Sequence, residues 1–432
     1  MTNLKCKNYK YLKMDKYNLY KKFKIIFMTK KNGNKKRTAN FLKVNKKILK
    51  LKIFFVIVIV IIIIVDLNFN IYEDIININK AIFESNFYKS FYEMKRRFIK
   101  DSFLKRYLRQ ISIIKHVYNK NNQFIKKKKH NIHICASLND RYIYPLLVSI
   151  ESVLINCDKQ NTYITYYIFC ASDLRKNTLF KLKSLVYKYP LNLEMIFYNM
   201  GNNFLSVYDR TLSQATYYRI LAPIIIDLKE IIYLDGDTLT LKDLHDMYKL
   251  DFNNNYILGF LDILSDGVDH LGIKSEKYIN AGVILLNLEK IRNDNKIYDL
   301  LNVTFNGVNL NDDQTVFNYV LYPQIGTLPI KYGVFNFYDF SDTKKYLKKI
   351  RTPINKTELE EAIKDPAIIH HDLCWPKVWT LETRFTAHNT CCSERKNCSC
   401  KKYQDLWFSY ANKTDYYSEI LNYTKRKEYI FS

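Results

Sequence analysis

Asp235 and Asp237 have the clearest chemical content in this chain: two carboxylates separated by Gly236, at the end of the apolar run Ile231–Leu234. The run is partly β-branched and reads as a short buried strand. Side chains alternate with period two along a strand, so both carboxylates leave it on the same side. Gly236 removes the side chain between them and permits a tight turn. Adjacent carboxylates repel, and one tends to keep its proton. A divalent cation removes that cost. Oxygen ligands suit Mg2+ or Mn2+, which one or two carboxylates commonly share with substrate phosphates. The plain alternative is a polar turn after a strand. Against it stands the fact that this is the only Asp-x-Asp in the chain.

The elements that would position such a site begin near Asn131. Asn131–Ser137 reads as a first strand, Asn139–Tyr142 as a polar turn, and Ile143–Leu154 as a helix by its apolar spacing. A strand at Thr162–Phe169, a helix at Leu174–Tyr187 and a strand at Leu193–Tyr198 follow. This alternation predicts an α/β fold, a Rossmann-like sheet with helices on both faces. Such sheets bind ligands at the carboxyl ends of their strands, where both the Asn139 turn and the Asp235 pair fall. Neither Gly-x-Gly-x-x-Gly nor a Walker A loop is present, which argues against dinucleotide dehydrogenases and P-loop nucleotide hydrolases.

The formal charge of +26 over 432 residues would suit nucleic acid or an anionic membrane surface. Its distribution argues against the first. Residues 1–52 hold eighteen Lys or Arg against the single acid Asp15, and a second basic run covers Lys95–Lys129. The excess lies outside the predicted globular part, so no nucleic acid partner is expected. Residues 1–50 read as a basic, disordered cytosolic tail. Ile53–Val65 is an unbroken apolar run, short of the roughly 20 residues that usually span a bilayer. Lys50 and Lys52 can snorkel at one end, while Leu67 and Phe69 extend the apolar face. Residues 51–69 therefore read as a single transmembrane signal anchor, basic side cytosolic, and residues 70–130 as a stem with helical spacing over Phe91–Val117. The expected localisation is type II, with the catalytic part, residues 131–432, in the lumen of the Golgi or endoplasmic reticulum.

Six segments, in order, resemble glycosyltransferase family 8: Ala136–Tyr142 with Ser152-Val153, Thr216–Leu221, Tyr233–Thr238, Tyr278–Leu288, Asp313-Gln314, and His371 with Lys377 and Trp379. The family includes bacterial lipopolysaccharide galactosyl- and glucosyltransferases and glycogenin. The resemblance covers the chain from about Asn131 onward. It implies a GT-A type mixed sheet and a metal-dependent, retaining hexosyltransferase. The donor would be a nucleotide-diphosphate sugar, UDP-glucose or UDP-galactose. The acceptor would be a glycan, glycolipid or glycoprotein. Two departures stand in the last motif: Cys374 replaces the usual Gly and Val378 the usual Pro, while His371 and Lys377 keep their spacing. Asn139 and Arg141 replace commoner residues of the first turn.

The resemblance also assigns roles. Asp235, Asp237 and His371 would hold the metal, a mixed N/O set that suits Mn2+. Lys377 would meet the β-phosphate as a point charge. Ala136, Asn139 and Tyr142 would meet the nucleotide, Arg219 the donor, and Asp262 and Asn280 the sugar hydroxyls. Asp313 and Gln314 would lie at the reacting carbon. Retaining hydrolases use a carboxylate nucleophile there. An amide such as Gln314 is a poor nucleophile, so a front-face transfer is expected, with Gln314 supporting positive charge on the ring and Asp313 binding the sugar. An inactive sugar-binding relative and a basic nucleic-acid-binding protein are the rival readings. Cys391, Cys392, Cys398 and Cys400 cluster near the C-terminus, and disulfides in a lumen or a zinc site would both use them.

Overall fold

The computed structural model describes residues 102, 104–117, 128–204, 213–262, 271–306, 312–335, 355–371, 377–379 and 400–425. The tail and anchor expected at 1–50 and 51–69, most of the stem, and Cys391, Cys392 and Cys398 lie outside these residues. Among the described residues no helix is long and apolar enough to cross a membrane.

The core is an eight-stranded sheet whose strands, in spatial order, are β1 (Ser112–Val117), β4 (Leu193–Asn199), β3 (Thr162–Cys170), β2 (His130–Leu138), β5 (Glu230–Leu234), β8 (Ile279–Asn287), β7 (Ile257–Leu261) and β9 (Ile325–Thr327). The central strands β2, β3, β4 and β5 are all mutually parallel. Every residue of β3 is buried, which explains its near-continuous apolar and aromatic sequence. The helices Ile143–Asn156 and Lys176–Lys188 make the crossovers, their ends within two residues of the sequence reading.

Beyond β5 the sheet changes sense. β8 (Ile279–Asn287) runs antiparallel between β5 and β7 (Ile257–Leu261), and β9 (Ile325–Thr327) closes that edge. β8 therefore begins at the end of the sheet where β5 and β7 finish. β2 has sequence-later neighbours on both sides, a topological switch point. Its ladder to β5 stops at Cys135↔Tyr233, so the two strands part as they approach Asn139 and Asp235. That parting is the crevice.

A small sheet, β10-β11-β6, lies beside it: β6 is Thr238–Thr240, β10 Val334–Phe335 and β11 Ile368–His370. β6 directly follows the Asp235–Asp237 turn. β11 pairs with it antiparallel, Thr238 opposite His370.

One expectation is overturned. The helical spacing over Phe91–Val117 does not carry through: Ser112–Val117 forms β1, an edge strand antiparallel to β4. Consecutive Ile113 and Ile114 satisfy either period, and pairing with a distant strand decides between them.

Candidate active site

Asp235 leaves β5 with its N–H bonded to the Gly282 carbonyl at 2.8 Å. The Tyr233 hydroxyl donates to Asp235 Oδ1 at 2.8 Å, an assignment no sequence motif announced. Asp237, 6% exposed, receives the Lys377 ammonium at 2.8 Å. His370 Nε2 lies 3.3 Å from Asp237 Oδ1 and 4.0 Å from Asp235 Oδ2. Ligand atoms of Asp235, Asp237 and His370 all fall within 4.8 Å of one another. Gly282 makes room for them: a Cβ there would sit 2.2 Å from His370 Cε1 and 2.8 Å from Asp235 Oδ2.

The two acids are driven apart in proton affinity. Burial pushes the Asp235 carboxyl up, Arg219 opposing and Asp237 adding to the rise. Burial acts on Asp237 too, but Lys377 and His370 override it and hold that carboxyl well below the usual range.

Sequence reasoning placed His371 at this cluster; the structure groups the ring of its neighbour His370 with the two carboxylates. His371 was singled out by its spacing to Lys377 and Trp379. His370 is the last residue of β11 and comes to the carboxylates, and His371 directly follows the strand. His371 bonds through its backbone, N–H to the Asp237 carbonyl at 2.9 Å. Its ring is fully buried, with both nitrogens lacking a hydrogen-bond partner. Burial depresses the imidazole to about 3, so it stays neutral, the form that ligates metals. Two carboxylates, an adjoining imidazole and a second neutral imidazole with unused nitrogens fit a divalent cation.

Arg219 sits on a 3₁₀ helix, Gln214–Leu221. It is buried, its guanidinium 4.3 Å from the centre of the Tyr233 ring. It ion-pairs with Asp313 at 2.6 Å and Asp235 at 3.4 Å, tying the metal motif to the Asp-Gln pair. Asp313 is thus turned toward Arg219, where sequence reasoning aimed it at the sugar. Burial raises its carboxyl to about 7, even against Arg219.

Beside this charged half lies a denser polar network. Gln314 Nε2 donates to Asp262 Oδ2 at 2.8 Å and its Oε1 accepts from the Ala281 N–H at 3.0 Å. Asn280 donates to the same Asp262 oxygen at 3.3 Å and accepts from the Gly282 N–H at 2.8 Å. Asn318 pins the first residue of β8, bonding both the N–H and the carbonyl of Ile279 at 2.8 Å. All three predicted residues, Asp262, Asn280 and Gln314, are gathered here by the ends of β7, β8 and the Asp313–Leu321 helix.

The third side is the Asn139 turn. Asn139 caps it, accepting from the N–H groups of Arg141 and Tyr142 at 3.0 and 3.1 Å, and donates to Ser213 Oγ at 2.8 Å. The Tyr142 ring meets Trp379 edge-on at 5.9 Å and lies against Gly236. Ala136 is fully buried within β2, its side chain in the core, so only its backbone faces the parting of β2 and β5.

The switch-point crevice is thus lined by a carboxylate–imidazole cluster on one side and a polar hydrogen-bonded network on the other. Residues 133–380 match the model of glycosyl transferase family 8, and the chain belongs to that family. A Haemophilus influenzae protein described as a candidate glycosyltransferase is 27% identical over 251 residues, 56% of this chain and 71% of that protein. General stress protein A of Bacillus subtilis is 23% identical over 275 residues, 60% of this chain and 91% of its own length. Among solved structures, the apo form of the bifunctional glycosyltransferase WbbM aligns with a TM-score of 0.53 at 19% identity. It covers 68% of this chain, which spans about half (51%) of that larger one.

Proposed function

We propose that residues 131–432 transfer glucose or galactose from a UDP donor, with retention of configuration, to a hydroxyl of a glycan, glycolipid or glycoprotein. One observation carries the reading: a charged cluster and a neutral hydrogen-bonding network lie side by side in one crevice. A sugar diphosphate presents those two demands in that order.

Asp235, Asp237 and His370 would hold Mn2+ or Mg2+, with His371 adjoining. The bound ion supplies positive charge against the charge that builds on the departing diphosphate. Lys377, already at Asp237, adds a point charge for the β-phosphate. Asn139, Tyr142 and the Ala136 backbone line the nucleotide end. Arg219 orients Asp235 and lies toward the donor. Asp262 and Asn280 hold sugar hydroxyls. The Gln314 amide is fixed at both ends, so its dipole is set in advance for the positive charge of an oxocarbenium-like ring. Asp313 faces Arg219 and Gln314 is an amide, which leaves no ready nucleophile in this pair. The bond from the anomeric carbon to the diphosphate oxygen then breaks as the acceptor oxygen bonds on the same face. The acceptor's proton passes to the leaving phosphate.

The test is release of free sugar from a panel of nucleotide sugars by the full-length protein with Mn2+. UDP-hexose hydrolysis that stops on chelation is expected. Neither hydrolysis nor nucleotide binding with any donor would overturn the reading.

The proposal extends to topology. The apolar run Ile53–Val65 and the eighteen basic residues before it support a type II anchor with a lumenal catalytic part. In sealed microsomes, protease should spare residues beyond Phe69; digestion of the C-terminal part would overturn this placement.

A further inference from the structure

The helices Cys400–Ala411 and Tyr417–Thr424 lie beyond residue 380, where the family match ends, yet they reach both flanks of the crevice. On one flank the Tyr423 hydroxyl donates to the Arg141 carbonyl at 2.8 Å, inside the Asn139 turn. On the other, Gln404 Nε2 donates to the Val378 carbonyl at 3.0 Å, next to Lys377. Trp407, fully buried, packs against Trp379 with ring centres 5.9 Å apart. Trp379 in turn meets Tyr142 of the turn, closing a ring of contacts around the nucleotide end.

Both anchored backbones belong to short segments without a ladder of their own. The turn is a three-residue 3₁₀ helix, Asp140–Tyr142, and Lys377–Trp379 forms no regular element. Segments of that kind open locally at low cost unless something outside them holds them. Binding a nucleoside diphosphate requires both in place at once, and ordering them beforehand strengthens binding without any new ligand contact.

We propose that the C-terminal helical pair is a brace that presets the nucleotide end of the donor site, with Tyr423 and Gln404 as its positioning residues. The inference rests on the donor reading given above. It assigns to residues 400–425 a part in donor affinity, with no part in the reacting centre.

Tyr423→Phe and Gln404→Ala test it, with Tyr416→Phe as the matched control. The Tyr416 hydroxyl donates to Ser184 Oγ at 3.0 Å, from the same helical pair but toward the helix Lys176–Lys188, away from the turn. Calorimetric titration of the full-length proteins with UDP and Mn2+ should show roughly three- to tenfold weaker binding for the first two, the worth of one hydrogen bond. Donor KM should rise in step with kcat nearly unchanged, and Tyr416→Phe should bind UDP as the wild type does. Equal affinity in all four proteins would overturn the inference. So would a loss in Tyr416→Phe matching that in Tyr423→Phe, or a loss that only tracks a falling Tm, because either would make the contacts merely structural. Wild-type protein that binds no nucleoside diphosphate would remove the donor reading itself, and the brace with it.

Discussion

The two halves of the crevice are held by different physics. At the sugar end, Asp262, Asn280 and Gln314 satisfy one another and the backbone of β8 through short hydrogen bonds. At the metal end, Asp235, Asp237, Arg219, Lys377 and Asp313 are ionisable groups taken largely out of water, held by mutual pairing. Buried hydrogen-bonded groups fix geometry, whereas buried charges fix a balance that fails when one partner is removed. The contrast predicts that removing a buried charge at the metal end costs most, and that substitutions at the sugar end leave nucleotide binding intact.

The largest effect should come from Asp237→Asn. It removes a ligand and leaves Lys377 buried without its counter-charge. Loss of a transition-state charge contact typically costs about 3–4 kcal/mol, a hundredfold or more in rate. Steady-state turnover in Mn2+, with circular dichroism to confirm folding, checks this; near-normal turnover would sink the metal assignment.

Gln314→Ala should cost less. A fixed amide dipole is worth roughly 1–3 kcal/mol, so turnover should fall about ten- to a hundredfold while UDP affinity holds. The retained α-linked product should persist from an α-linked donor. Complete loss of activity, or a glycosyl adduct on Gln314 or Asp313 found by mass spectrometry, would break the contrast, because a nucleophile would then sit at the sugar end.

The smallest effect sharpens the metal end itself. His370→Ala should weaken Mn2+ binding about tenfold, measured by titration without substrate. His371→Ala should weaken it less. An equal loss in both would show that both imidazoles ligate the ion.

Much of this was legible in the sequence. The strand–helix alternation gave the parallel half of the sheet to within about two residues at each end, because β3 and the Ile143 helix have strong, unbroken apolar patterns. The sugar-end residues were legible because each stands at the end of an element that the motif order locates. What the sequence left out was non-local. That His370 comes to Asp237 depends on how β11 registers with β6, and spacing to Lys377 carries no such parity. β1 was missed because its partner, β4, is far along the chain. The Tyr423 and Gln404 contacts were invisible for the same reason: their acceptors are backbone carbonyls, which leave no mark on sequence.

The pairing of β11 with β6 has one more consequence. A strand that slips by a single residue presents its opposite face, and in most strands that exchanges a functional side chain for an unrelated one. Here Thr238 faces His370, and the next residue along is also a histidine. A one-step slip toward the C-terminus would put His371 opposite Thr238 and still deliver an imidazole, whereas a slip the other way would put Ile369 there. The doubled histidine thus guards the site against misalignment in one direction only.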